Sequence, residues 1–143
     1  MKRDVLLDTG PLVAFLHRKD RYHQWAVEQF SRIDAPMQTC EPVLTEACYL
    51  LSALPGGSQS VLKLIDTGAL KIAFHVGDEV ASLKTLMTRY QNVPMSLADA
   101  CLVRMSELNN SGTVLTLDSD FTIYRKHGRQ IVPILIPGGP ASR

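Results

Sequence analysis

Asp8, Glu46, Asp99, Asp118 and Asp120 are the side chains whose type and placement point to chemistry. Each lies near a residue that starts or stops a local element. Asp8 precedes Thr9-Gly10-Pro11, Glu46 follows Pro42, Asp99 follows Ser96, and Asp118 and Asp120 follow the apolar run ending at Leu117. Carboxylates offer only hard oxygen donors, so a group of them suits Mg²⁺ or Mn²⁺ better than zinc. Crowding them is costly: two carboxylates about 5 Å apart repel by about 3 kcal/mol at an effective dielectric of 20. Raised carboxyl pKa values offset part of that cost, and a divalent cation offsets it better. Such a site suits phosphoryl chemistry, because the ion activates water and stabilises charge on the attacked phosphate.

Taken singly, each acid also has a purely structural reading. Asp8 before Thr-Gly-Pro makes an Asx-turn. Glu46 is a first-turn acid favoured by the helix dipole. Ser96-Leu97-Ala98-Asp99 is a capping box. Asp118 or Asp120 caps the segment that follows it. The argument for chemistry therefore rests on the acids as a set, and on the elements that would bring them together.

Those elements read as strands alternating with helices. Val5–Leu7 is a short apolar strand ending at Asp8, and a helix starts at Pro11, a residue suited to a first turn. A second helix spans about Arg21–Ile33, and Met37–Cys40 is a brief strand. Pro42 opens a third helix with Val43, Leu44, Ala47, Leu50 and Leu51 on its apolar face, ended by Pro55-Gly56-Gly57. Further helices are predicted over Ser60–Asp66, Asp78–Tyr90 and from Ser96 to Leu108. Strands are predicted over Leu70–Phe74, Thr113–Leu117 and Ile131–Ile136. This alternation predicts an α/β fold of three layers, a mostly parallel central sheet flanked by helices. Ligands of such sheets sit beyond the carboxyl ends of the strands, where the acids fall.

Composition narrows the classes. The 143 residues, 45% hydrophobic and 20% charged, fit one globular domain, read as residues 1–136 with a flexible tail over 137–143. Cys40, Cys48 and Cys101 are scattered and form no CxxC pair, so they read as core residues of a reducing compartment. Asp4 and Asp8 interrupt the apolar N-terminal stretch, which argues against an export leader, and no run is long enough to span a membrane. A cytoplasmic protein is expected. The net charge of +1 gives no global signal for nucleic acid. Local cations would have to serve, and Arg18, Lys19, Arg21, Arg104, Arg125, Lys126 and Arg129 are the candidates. His17, His23, His75 and His127 lack metal-ligand spacing. Trp25, Phe30 and Tyr49 read as core or dimer contacts rather than as base-stacking platforms.

Four short motifs resemble those of the PIN-domain nucleases, and especially the VapC-type toxins: Leu7-Asp8-Thr9-Gly10-Pro11-Leu12, Leu44-Thr45-Glu46-Ala47, Ser96-Leu97-Ala98-Asp99-Ala100, and Leu115-Thr116-Leu117-Asp118-Ser119-Asp120-Phe121. The resemblance spans nearly the whole chain. It implies a PIN fold and Mg²⁺- or Mn²⁺-dependent cleavage of RNA by metal-activated water, leaving 5′-phosphate and 3′-hydroxyl ends. It also implies a homodimer and an antitoxin partner of a type II toxin–antitoxin pair. Asp8, Glu46, Asp99 and Asp118 would then be catalytic metal ligands and Asp120 an auxiliary ligand. Thr9 and Thr116 would orient carboxylates or bound water. The competing reading is a non-catalytic PIN-like module that binds RNA or protein. An aspartate-nucleophile phosphatase ranks lower, because its second acid would stand where this chain has Gly10.

Overall fold

The computed structural model describes residues 4–139. Five strands form one parallel sheet: β1 (Val5–Leu7), β2 (Met37–Thr39), β3 (Leu70–Ile72), β4 (Thr113–Leu115) and β7 (Ile134–Leu135). Their order is β3-β2-β1-β4-β7. A small antiparallel hairpin, β5 (Arg125–Lys126) with β6 (Gln130–Ile131), stands apart from that sheet. Every residue of β1 and β4 is buried, as expected of central strands covered on both faces. Six helices supply the cover: α1 (Thr9–Leu16), α2 (His23–Arg32), α3 (Glu41–Leu50), α4 (Gly57–Asp66), α5 (Val80–Arg89) and α6 (Leu97–Leu108).

The most heavily buried helix is α6, which packs on β1 and β4 with Ala98, Ala100, Cys101, Leu102, Val103 and Met105 inside. Cys40 and Cys101 are fully buried free thiols, and Cys48 is half-buried. The neighbouring Cys101 thiol, and then burial, push the Cys40 thiol up. No helix among the described residues is long and apolar enough to cross a membrane.

Several boundaries differ from the sequence expectation, each for a local reason. α1 starts at Thr9 rather than Pro11, because the Asp8 side chain accepts the Thr9 N–H and caps the helix there. α4 starts at Gly57, inside the predicted break. Gly56 takes the left-handed conformation with φ 69°, turns the chain, and lets the helix begin at once. Helix α5 is shorter than predicted, since Val76–Asp78 form a separate 3₁₀ turn. The strand expected to run to Phe74 ends at Ile72. The last predicted strand, Ile131–Ile136, is two: Ile131 belongs to the hairpin, and only Ile134–Leu135 pair with β4. Pro133 remains in the ladder through its carbonyl, which accepts the Val114 N–H at 2.9 Å. The predicted tail begins with a turn, in which the Gly139 N–H donates to Ile136 O at 2.9 Å; residues 140–143 lie outside the described residues.

Leu50, expected on the apolar face, is 57% exposed, and Tyr49, expected as a core or dimer contact, lies outside the core at 78% exposed. They fall at the end of α3, past the face that buries Val43 and Ala47. Phe30 stacks on Phe15 with ring centroids 4.0 Å apart, and Trp25 packs against the core.

Candidate active site

The fold delivers the acids to one end of the sheet. Asp8 is the first residue beyond β1, and its N–H donates to Leu115 O at 3.0 Å, which pins it beside the end of β4. Cys40 caps α3 directly after β2, so α3 leaves that same edge carrying Glu46. Ser96 caps α6, putting Asp99 in its first turn. Asp118 caps a 3₁₀ turn over Ser119–Thr122, just past β4. A cleft of about 540 Å³ results, lined by Asp8, Thr9, Glu46, Asp99, Asp118 and Asp120 together with Leu50, Pro94 and Leu117. Gly10 lies there too. A Cβ on it would stand 3.1 Å from the Leu117 side chain, so the start of α1 approaches that segment too closely for a larger residue to enter without a shift.

Hydroxyl groups tie the acids to the frame. Thr116, fully buried, donates from Oγ1 to Asp8 Oδ2 at 2.6 Å and accepts the Asp118 N–H at 2.9 Å. Thr9 Oγ1 donates to Glu46 Oε1 at 2.8 Å. Asp118 Oδ1 accepts the Asp120 N–H at 2.9 Å. Asp99 Oδ2 accepts the Tyr124 hydroxyl at 2.8 Å and, more weakly at 3.5 Å, the Ser96 N–H of its capping box, while Ser96 Oγ accepts the Asp99 N–H at 3.0 Å. Thr116→Val is expected to destabilise the protein by about 2 kcal/mol, since it strips the buried Asp8 carboxyl and the part-buried Asp118 N–H of their partner without changing shape. Thermal unfolding measures that loss. Any nuclease activity should fall by about 10- to 100-fold, as for other groups that orient metal ligands.

Electrostatics mark the same group. Asp8 is only 5% exposed, and burial pushes its carboxyl up to about 7; the Thr116 and Thr9 bonds oppose the rise, while Asp99 and Asp118 add to it. Burial, and then Asp118, raise Asp99 against its hydrogen bonds to Tyr124 and Ser96. Asp120 is raised by desolvation and by Asp118. Burial and the bond to Asp99 push the Tyr124 hydroxyl up.

All five acids and Thr9 line one cleft, and Thr116 holds Asp8 from beneath. The helix-dipole account of Glu46 does not hold. The helix begins at Glu41, which takes the first-turn place, and Glu46 sits further along with Thr9 as its partner. Sequence reasoning missed Tyr124, which fell in a stretch read as irregular. The available signal was chemical: a Tyr inside a core needs a partner for its hydroxyl.

The basic candidates do not line the cleft. Arg104 bonds Glu79 at 2.6 Å and Glu107 at 3.1 Å, and Arg125 donates to the carbonyls of Thr122, Ile123 and Tyr124. Lys126 is buried, with Nζ 3.3 Å from Ser106 O at the end of α6. Arg18, Lys19, Arg21 and Arg129 are exposed. His23 Nδ1 bonds Ala14 O at 2.7 Å and joins α2 to α1.

The sequence profile of the PIN domain matches residues 5–126, an interval containing all five acids. The chain belongs to the PIN domain family. Ribonuclease VapC26 of Mycobacterium tuberculosis is 27% identical over 133 residues, covering 91% of this PIN domain protein and 93% of that relative. Two crystal structures share the PIN fold. VapC20 of Mycobacterium tuberculosis, described as a sarcin–ricin loop cleaving toxin, has a TM-score of 0.74 at 16% identity, covering 83% of this chain and 93% of that one. VapBC2 of Rickettsia felis, bound to a DNA fragment from its promoter, has a TM-score of 0.62 at 15% identity, covering 92% and 97%.

Whether the cleft of this PIN domain suits a metal is a question of donors and of geometry. Among the described residues, no group of three or more His, Cys, Asp and Glu side chains is set to hold an ion as it stands. The donors fit in kind. They are all carboxylates, they line one cleft, and those of Asp8, Asp99 and Asp120 are raised partly by neighbouring acids, as hard-cation ligands would be.

Proposed function

We propose that this PIN domain is a Mg²⁺- or Mn²⁺-dependent endoribonuclease, the toxin of a type II toxin–antitoxin pair. The observation that carries the reading is the acidic cleft itself: five carboxylates at the carboxyl end of a parallel sheet, one of them buried and raised to about 7. The fold family and the likeness to Ribonuclease VapC26 support RNA as the substrate.

In this reading Asp8, Glu46, Asp99 and Asp118 hold the cation, and Asp120 assists directly or through water. A divalent ion bound there supplies Lewis-acid stabilisation of the phosphate and lowers the pKa of the attacking water. The chain's own contribution is orientation. Thr116 couples Asp8 to the backbone of Asp118, and Thr9 fixes Glu46. Each hydroxyl holds one carboxylate oxygen in place. No side chain would then be needed as general base. We further propose a homodimer and a cognate antitoxin that blocks the cleft, consistent with the likeness to the VapBC2 assembly. Mass measurement of the purified protein, alone and co-expressed with its genomic neighbour, tests both.

The test of activity is incubation of metal-stripped protein with a mixed RNA pool, with and without Mg²⁺ or Mn²⁺. Cleavage is expected only with metal, leaving 5′-phosphate and 3′-hydroxyl ends, and chelation should stop it. Among the described residues no acidic group is preset for an ion, which favours one alternative, a PIN-like module that binds RNA without cutting it. RNA retention with no cleavage under every metal condition would establish that alternative.

A further inference from the structure

Tyr124 is fully buried, and its hydroxyl donates to Asp99 Oδ2 at 2.8 Å. Its ring has little freedom. Phe121 meets it edge-on with centroids 5.2 Å apart at 84°, and Tyr90 does so at 5.1 Å and 65°. The Tyr90 hydroxyl is directed away from the acids, its oxygen accepting the Arg125 N–H at 2.9 Å. The Tyr124 N–H donates to Asp120 O at 3.2 Å, so the tyrosine is tied to the segment that carries Asp118 and Asp120. One end of Tyr124 is thus anchored to the last two acids, and the other holds the third.

The two oxygens of Asp99 differ as a result. Oδ2 takes the phenol and the Ser96 N–H, whereas no donor among the described residues reaches Oδ1. Glu46 repeats the pattern, with Oε1 on Thr9, and so does Asp118, with Oδ1 on the Asp120 N–H. In each case the chain holds one oxygen and leaves the other for a ligand. We propose that Tyr124 is a positioning residue for Asp99, locking Oδ2 so that Oδ1 is the atom presented to the cation. The inference rests on the metal-dependent reading above and adds a residue that lies outside the four motifs.

Tyr124→Phe removes the hydroxyl and keeps the ring. Tyr90→Phe is the control, deleting the hydroxyl of a second buried tyrosine, one that bonds the Arg125 backbone rather than an acid. Three readouts are taken on the full chain: Mn²⁺ affinity by calorimetry, kcat and KM on RNA, and the crystal structure of each variant. Tyr124→Phe is expected to weaken Mn²⁺ binding by about 10-fold and lower kcat similarly, with KM changed less than about twofold. Asp99 should occupy more than one rotamer in that variant. Tyr90→Phe should leave all three readouts near the parent values. Unchanged Mn²⁺ affinity and kcat in Tyr124→Phe would overturn the proposal. Equal losses in the two variants would overturn it too, since they would report general packing. If the parent protein neither cleaves RNA nor binds Mn²⁺, the functional reading fails, and the crystal structure alone decides: a single unchanged Asp99 rotamer in Tyr124→Phe contradicts the positioning role, and a disordered one supports it.

Discussion

Asp99→Asn is expected to lower metal-dependent RNA cleavage by about 10²- to 10³-fold, the loss that accompanies removal of one preorganised electrostatic group. The substitution preserves volume. An amide oxygen still accepts from Tyr124 and Ser96, so the capping box and the aromatic cluster survive. What disappears is the charge offered to the cation. Burial and Asp118 already disfavour that charge, so the variant should be as stable as the parent protein or more so in the absence of metal. Cleavage rates at saturating Mg²⁺, with circular dichroism confirming the fold, make the comparison. Parental activity in Asp99→Asn would remove Asp99 from the metal site.

The second large effect concerns Asp8 and pH. Its carboxyl is raised from 3.8 to about 7, chiefly by burial. The folded state therefore holds a proton that the unfolded chain has released between those values. Stability falls as pH rises through that window, and the cost is complete above about pH 7. A rise from 3.8 to about 7 corresponds to about 4 kcal/mol. Asp8→Asn removes this dependence, at the cost of disturbing the bond from Thr116, about 1 kcal/mol. The variant should therefore be more stable than the metal-free parent at pH 8 by a few kcal/mol, and the advantage should vanish near pH 4. Denaturant unfolding at the two pH values in chelator measures the difference. Catalysis would be lost in the variant, so the position trades stability for function. A divalent cation should close the gap at pH 8 by stabilising the parent protein alone.

The capping roles of Asp8, Asp99 and Asp118 were legible in the sequence and hold, and the acids gather at one sheet edge as expected. Asp8 caps α1, Asp99 closes a capping box, and Asp118 caps the turn after β4. These caps direct the side chains to one edge, so local roles and a shared cleft are not alternatives. The strand–helix alternation was legible for the same reason: Val5–Leu7 is buried on both faces, and such strands read as apolar runs. Long-range partners were not legible. Nothing near Tyr124 announces Asp99, and nothing near Glu79 announces Arg104, because both pairs form only when α6 docks. The exposure of Tyr49 and Leu50 was hidden too, since an apolar residue at a helix end fits the buried pattern until the neighbouring elements are placed. The last strand was misjudged because β-branched and apolar residues run from Ile131 to Ile136 through Pro133, and the point where pairing changes sheet depends on which strands are near.

The carboxylates at this sheet edge are proposed to form a divalent-cation site. Anomalous diffraction from crystals of the protein soaked in Mn²⁺ tests it most directly. A manganese peak is expected in the cleft, within about 2.0–2.3 Å of oxygens from Asp8, Asp99 and Asp118, with Glu46 or Asp120 completing the set directly or through water. A fully soaked crystal with no peak between these acids, or with manganese bound only elsewhere on the surface, would contradict it.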